Sequence, residues 1–310
     1  MGQIVITEFM EASAVEKLRA AWPTLYDPEL FDAPDRLRTA LAEARALIVR
    51  NRTIVDAALL DAAPRLRVLG RLGVGVYNID LAACRARGVE VVPASGANAA
   101  SVAEYAILAI GMLLRGAFQD TLAVASGEWP RDRLKRGREM AGKTLGILGL
   151  GDIGRRVARL ARAFDMQIIA HDPVLPLDHS GWSETATEQV SLDELFTRAD
   201  ALTLHVPLEP ATRHIVSAAR LALMKPNAVL VNASRGGVVD EAALATALRA
   251  GRLGGAALDV FEVEPLPIDS PLVGAPGLVL TPHIAGATIE SNVRISSLIA
   301  ARVQVALAMC

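Results

Sequence analysis

Residues 149–154 read Gly-Leu-Gly-Asp-Ile-Gly. A lone G-x-G-x-x-G is a weak signal, but its surroundings here are specific. The apolar run 145–148 precedes it and the helical stretch RRVARLARAF follows. A further apolar run then leads to Asp172, 18 residues beyond Gly154. Strand, glycine turn, helix, strand and acid in that order are the full context of a dinucleotide-binding turn. Gly149 permits the tight turn, Gly151 lets the backbone approach a pyrophosphate, and Gly154 lets helix pack on strand. Asp152 and Ile153 supply the amides nearest the phosphates, at a helix N-terminus that favours anions. Asp172 is expected to accept from ribose hydroxyls and to repel a 2′-phosphate, so NAD is expected over NADP. Arg155 and Arg156 read as surface residues of the first helical turn.

The turn lies in mid-chain, so another domain must precede or enclose it. A length of 310 residues suits two domains. Short β-rich runs alternate with Ala/Leu-rich helical runs throughout, the α/β pattern of parallel sheets. The first part predicts strands at 4–7, 46–49, 68–69 and 89–92. The second predicts them at 145–148, 168–170, 201–204, 228–231, 256–258 and 278–280. Ser101 and Glu104 have capping-box spacing and predict a helix start, as do Ser191 and Glu194. Asp240 predicts another, ending at Gly251. Residues 127–142 read as an exposed basic connection.

Apolar residues make up 52% and charged residues 21%, with a formal charge of -2. Such a chain can bury cores, and its charge argues against nucleic-acid or membrane-surface binding. Cys84 and Cys310 are the only cysteines. They form neither a zinc pattern nor a disulfide framework, so no metal and a reducing compartment are expected. No apolar run reaches bilayer length and the start lacks a signal-peptide pattern, so the cytoplasm is expected.

Three motifs each follow a strand, where open α/β sheets bind ligands. They are Asn232-Ala233-Ser234-Arg235-Gly236-Gly237, Leu258-Asp259 through Glu264-Pro265, and Thr281-Pro282-His283-Ile284-Ala285-Gly286. Arg235, Glu264 and His283 would make an acid–base set.

These residues resemble the D-isomer-specific 2-hydroxyacid dehydrogenases, most closely the phosphoglycerate-dehydrogenase branch. The resemblance runs from about Ala46 to Gly286 through LIVRNRT, GRLGVGVYNID, SVAEYA, GKTLGILGLGDIG, HVPLEPATRHIV, NASRGGVVDE, ALDVFEVEP and TPHIAG. It implies two Rossmann-like or flavodoxin-like domains with parallel sheets and an active site in the interdomain cleft. The substrate domain would be 1–98 plus 286–310, and the NAD-binding domain 99–285. It implies catalytic positions at Arg235, Glu264 and His283. Asp259 and the His283–Gly286 turn, with His283, Ala285 and Gly286, would border the nicotinamide. His205, Val206, Pro207, Thr212, Ala233, Ser234 and Arg235 would line the cofactor.

Elementary chemistry agrees with that carry-over. A 2-hydroxy acid loses its hydroxyl proton as hydride leaves C2, and an imidazole such as His283 can accept that proton. Glu264 can orient the ring, and Arg235 can clamp the substrate carboxylate bidentately. The Gly73-Val74-Gly75 amides can form a small anion nest. The family places Arg50, Asn51, Asn98 and Arg131 near the substrate. Cations at Arg50 and Arg131 suggest a second anion at C3, as in 3-phosphoglycerate or 3-sulfolactate. Arg52 and Arg133 could equally be solvated surface. Asn51 stands where that branch often has Ser, and Tyr77 where the family often has Asp. Simple 2-hydroxy acids of the glyoxylate or hydroxypyruvate type remain open, as does an NAD-sensing corepressor on the same fold. The apolar runs at 101–118 and 120–125 predict a homodimer through the nucleotide domain.

Overall fold

The computed structural model describes residues 3–309. The chain divides into two compact units, Met1–Asn98 with Ala287–Cys310, and Ala99–Gly286. Gly286 therefore falls with the middle segment, one residue past the expected boundary.

In the first unit the strands are β1 (Ile4–Ile6), β2 (Thr24–Tyr26), β3 (Ala46–Val49), β4 (Val68–Arg71) and β5 (Glu90–Pro93). They pair in the order β2-β1-β3-β4-β5, and every pairing is parallel. β1, β3 and β4 are buried along their whole length, which explains the unbroken apolar runs of β1 and β3; β4 ends on the buried Arg71. Side chains alternate between faces. Ile4, Ile6, Ala46 and Ile48 meet the helices Ala12–Ala21 and Ile289–Met309. Val5, Leu47 and Val49 meet Leu37, Leu41, Leu60 and Cys84 on the other face. A Cβ at Gly70 would lie 2.8 Å from Val303, so glycine lets the C-terminal helix close on β4.

The second unit holds β6 (Thr144–Leu148), β7 (Gln167–His171), β8 (Glu188–Gln189), β9 (Ala201–Leu204), β10 (Val229–Asn232), β11 (Gly255–Leu258) and β12 (Leu278–Leu280). Their order is β12-β11-β10-β9-β6-β7-β8, again wholly parallel. Leu145, Ile147 and Val231 pack against the helices Ala99–Arg115 and Asp152–Arg162. Leu202, Leu204 and Leu230 face Leu195, Phe196, Leu244 and Leu248 on the opposite side.

Three local expectations need correction. The helix Ala99–Arg115 begins before Ser101, which is buried inside it, so Ser101 and Glu104 form no capping box. A one-turn helix, Arg131–Leu134, interrupts the basic connection. β2 and β8 were not expected: one is a half-buried edge strand, the other two exposed residues, and neither shows an apolar run. The capping box at Ser191 and Glu194 is present, and Asp240 caps its helix through the Ala243 amide.

Candidate active site

The glycine turn leaves β6 where the sheet winds outward in both directions, towards β7 and towards β9. Such a switch point is where open α/β sheets bind ligands. Gly149 has φ 91°, in the left-handed region. A Cβ there would sit 2.6 Å from the His205 carbonyl, and one on Gly154 would sit 2.3 Å from the Gly149 carbonyl. Both glycines are thus fixed by packing. Gly151 differs: it begins the helix Asp152–Arg162 without a side-chain cap, and a Cβ there would meet nothing within 4 Å. An open face beside uncapped amides is the cradle that a pyrophosphate needs.

Asp172 follows β7 and is half-buried. It accepts from the amides of Leu150 (2.8 Å), Val174 (3.0 Å) and Leu175 (3.1 Å). Three donors fix the carboxylate, and its two oxygens offer about four acceptor positions. One thus remains for a ribose hydroxyl. Asp152 holds Arg155 at 2.6 Å; Arg155, expected at the surface, is half-buried and also donates to the Leu150 carbonyl at 3.2 Å.

At the end of β9 the His205 ring lies 3.1 Å from the Thr203 hydroxyl, while its buried Nδ1 has no partner among the described residues. Burial drives its pKa down to about 3, so the ring is neutral. Thr212 donates to the Pro207 carbonyl at 2.6 Å and closes the loop that carries Val206.

The acid–base set is built from three strand ends. Asn232 closes β10: its Oδ1 accepts from the Ser234 amide (3.0 Å) and hydroxyl (2.7 Å), and its Nδ2 donates to the Arg235 carbonyl (3.0 Å). These bonds shape the Ala233–Ser234–Arg235 turn, and Arg235 also donates to the Ser234 carbonyl. Gly236 must be glycine, since a Cβ would lie 1.7 Å from the Phe261 carbonyl.

Asp259, 1% exposed after β11, braces the His283 turn. It accepts from the Thr281 hydroxyl (2.6 Å) and from the amides of Ile284 and Ala285 (both 2.8 Å). The His283 amide donates to the Asp259 carbonyl at 2.8 Å. These bonds hold His283 at φ 54°, a conformation that costs a side-chain-bearing residue about 1–3 kcal/mol. His283 Nδ1 lies 2.8 Å from Glu264 Oε2, and Glu264 Oε1 accepts from the Phe261 amide at 3.1 Å. Both side chains are partly exposed. With Nδ1 bound to a carboxylate, Nε2 is the nitrogen left for other work.

Glu241 and Tyr105 support this region; both lie in the motifs NASRGGVVDE and SVAEYA, but neither stands out there as a site residue. Glu241 accepts from the Glu262 amide at 2.6 Å, and its burial pushes its pKa up. The Tyr105 hydroxyl meets that of Thr281 at 2.7 Å.

In the first unit, Arg50 donates to Asn292 Oδ1 at 2.9 Å and lies 5.9 Å from the Phe9 ring. Arg52 turns away, 3.7 Å from the Phe31 ring and 3.7 Å from Asp32. Asn51 is exposed and Asn98 half-buried. The expected nest is smaller than three amides, because Gly73 donates to the Arg71 carbonyl at 2.8 Å. Val74 and Gly75 remain. Arg71 itself is buried, with its guanidinium filling the space that a Gly73 side chain would need. In the second unit, Arg131 is exposed and Arg133 pairs with Asp120 at 2.6 Å. Among the described residues, no three His, Cys, Asp or Glu side chains converge as a metal site. No described helix is long and apolar enough to cross a membrane.

Residues 107–285 match the family model for the D-isomer specific 2-hydroxyacid dehydrogenase NAD binding domain. The chain belongs to that family. It is an NAD-dependent oxidoreductase of 2-hydroxy acids. It is 51% identical to a protein of Chromohalobacter salexigens named (S)-sulfolactate dehydrogenase, over 96% of this chain and 95% of that one. It is 40% identical to the D-3-phosphoglycerate dehydrogenase of Methanocaldococcus jannaschii, covering 98% of this chain but 57% of the longer relative. A crystal structure of a Thermus thermophilus protein superposes with a TM-score of 0.88 at 32% identity, covering 99% of this chain and 97% of that one.

Proposed function

We propose that this dehydrogenase oxidises a 2-hydroxy acid bearing a sulfonate or phosphate at C3, with NAD preferred over NADP. The observation that carries the substrate reading is the state of Arg50. Its partners are an amide oxygen and a phenyl ring, both neutral, so its charge is free to meet an anion. Arg52 already faces Asp32. The relative named for sulfolactate, similar over nearly its whole length, supports the same reading.

The turn Gly149–Gly154 and Asp172 hold the dinucleotide, with His205–Pro207, Thr212, Ala233–Arg235, Ala285 and Gly286 lining it. NAD, when bound, supplies the acceptor for the hydride that leaves C2. Glu264 orients His283 through Nδ1, and Nε2 takes the hydroxyl proton as the C2–O bond gains carbonyl character. In reduction the same nitrogen returns the proton. Arg235 pairs with the substrate carboxylate and polarises C2–O.

A homodimer through the second unit is part of this proposal. Leu108, Phe118, Leu122 and Trp129, all between residues 108 and 129, are each more than two-thirds exposed, and this exposure supports self-association. The cytoplasm is the proposed compartment, supported by the two lone cysteines.

The test compares Arg50→Ala with Arg52→Ala. Loss of a charge-assisted hydrogen bond costs roughly 1.5–3 kcal/mol, or about one to two decades of affinity. Arg50→Ala should lose that much on a C3-sulfonated acid and far less on lactate, while Arg52→Ala should discriminate little. Equal losses on both acids for Arg50→Ala would show that this arginine is surface charge.

A further inference from the structure

The first sheet has its own switch point, between β1 and β3, and it is filled from within. Glu8 lies just past β1, and residues 50–53 lead away from β3. The carboxylate of Glu8 accepts four consecutive backbone amides. Oε1 takes those of Arg50 (2.8 Å) and Thr53 (3.0 Å), and Oε2 takes those of Asn51 (3.0 Å) and Arg52 (2.9 Å). Asn78 Nδ2 donates to the Thr53 carbonyl at 2.7 Å, and the hydroxyls of Thr7 and Thr53 meet at 2.8 Å. Glu8 is 3% exposed.

Four amides turned to one point form a nest that would suit a phosphate or sulfonate. Here the protein's own carboxylate occupies it. Burial alone would raise the pKa of Glu8, but the four amides prevail and hold it below the ordinary carboxylate value. The anion is therefore permanent at working pH. All its acceptor positions are used by backbone, and the Arg50 guanidinium instead meets Asn292 Oδ1 and the Phe9 ring.

We propose that Glu8 is the positioning residue for anion selection in the first unit: it occupies the backbone nest of residues 50–53 and thereby leaves the Arg50 side chain as the group that recognises a second substrate anion. The proposal rests on the substrate reading given above. It assigns Glu8 no contact with substrate.

Glu8→Gln keeps the shape but sets an NH2 against two of the four N–H donors. Glu8→Asp keeps the charge and shortens the reach by one methylene. Two readouts apply to each folded variant. The first is amide exchange by mass spectrometry, with peptides spanning 45–56 compared to peptides from the second unit. The second is KM for a C3-sulfonated 2-hydroxy acid divided by KM for lactate.

In Glu8→Gln, exchange at 50–53 should quicken about tenfold or more while the second unit keeps its protection. The KM ratio should rise about tenfold, with Glu8→Asp between Gln and wild type. Should Glu8→Gln fail to fold, Glu8→Asp carries the same two criteria. Unchanged exchange at 50–53 in a folded variant would overturn the proposal. So would equal KM changes for both acids. A wild-type enzyme that treats both acids alike would overturn the substrate reading instead, and the exchange readout would then decide the role of Glu8 by itself.

Discussion

His283 combines a left-handed backbone, a braced turn and one ring nitrogen fixed by Glu264. Its strain is sustained by Asp259, whose carboxylate and carbonyl accept from the segment 281–285. If the ring moves the substrate proton, His283→Ala should lower kcat about 10²–10⁴-fold and leave the NAD dissociation constant near that of wild type. Oxidation uses the neutral ring and reduction the charged one. Oxidative rates should therefore climb with pH and reductive rates fall, and His283→Ala should flatten both limbs. Wild-type turnover in that variant would remove the assignment. That Glu264 meets His283 was foreshadowed by motifs that each follow a strand; the catalytic roles of both and of Arg235 belong to the proposal. Glu8 was not foreshadowed: one acid after a short strand reads like any surface acid until the amides of residues 50–53 are seen to converge on it. Asp259 was legible as important but not as a brace, since its partners lie more than twenty residues away in sequence.

The glycine turn separates two uses of the same residue type. A Cβ on Gly154 would strike the Gly149 carbonyl, whereas the space beside Gly151 is open. Gly154→Ala forces a methyl against the Gly149 carbonyl and should cost about 1–3 kcal/mol of stability, read as a lower Tm. Gly151 has φ -70°, which alanine accepts, and open space where the methyl would go. Gly151→Ala should keep the wild-type Tm yet raise KM for NAD about tenfold. A Tm loss in Gly151→Ala with unchanged KM would reverse these roles. Strands buried on both faces were easy to read as apolar runs. β2 and β8 were hidden because edge strands of two or three residues need no such run. The false capping box at Ser101 has a simple cause. Ser and Glu three residues apart also lie on one helix face, and burial of Ser101 inside the helix fits that alternative.

Across the whole chain, the second unit holds the Gly149–Gly154 turn and the Glu264–His283 pair, and the first holds Arg50 and Glu8. The exposed apolar residues of the second unit predict self-association. Light scattering at micromolar concentration should give a dimer, and Leu122→Glu, at a side chain 85% exposed, should weaken it about tenfold or more. A stable, active wild-type monomer would contradict this. The two-domain division was foreshadowed by the mid-chain glycine turn. Which residues pair across that turn was not, because it depends on parallel strands far apart in sequence. The central claim is oxidation of a doubly anionic 2-hydroxy acid with NAD, and nicotinamide absorbance reads it directly. Wild-type enzyme should form NADH from 3-sulfolactate or 3-phosphoglycerate with kcat/KM about one to two decades above that for lactate, and NAD should outperform NADP; lactate turned over as well as either doubly anionic acid, or no NADH from any of them, would contradict it.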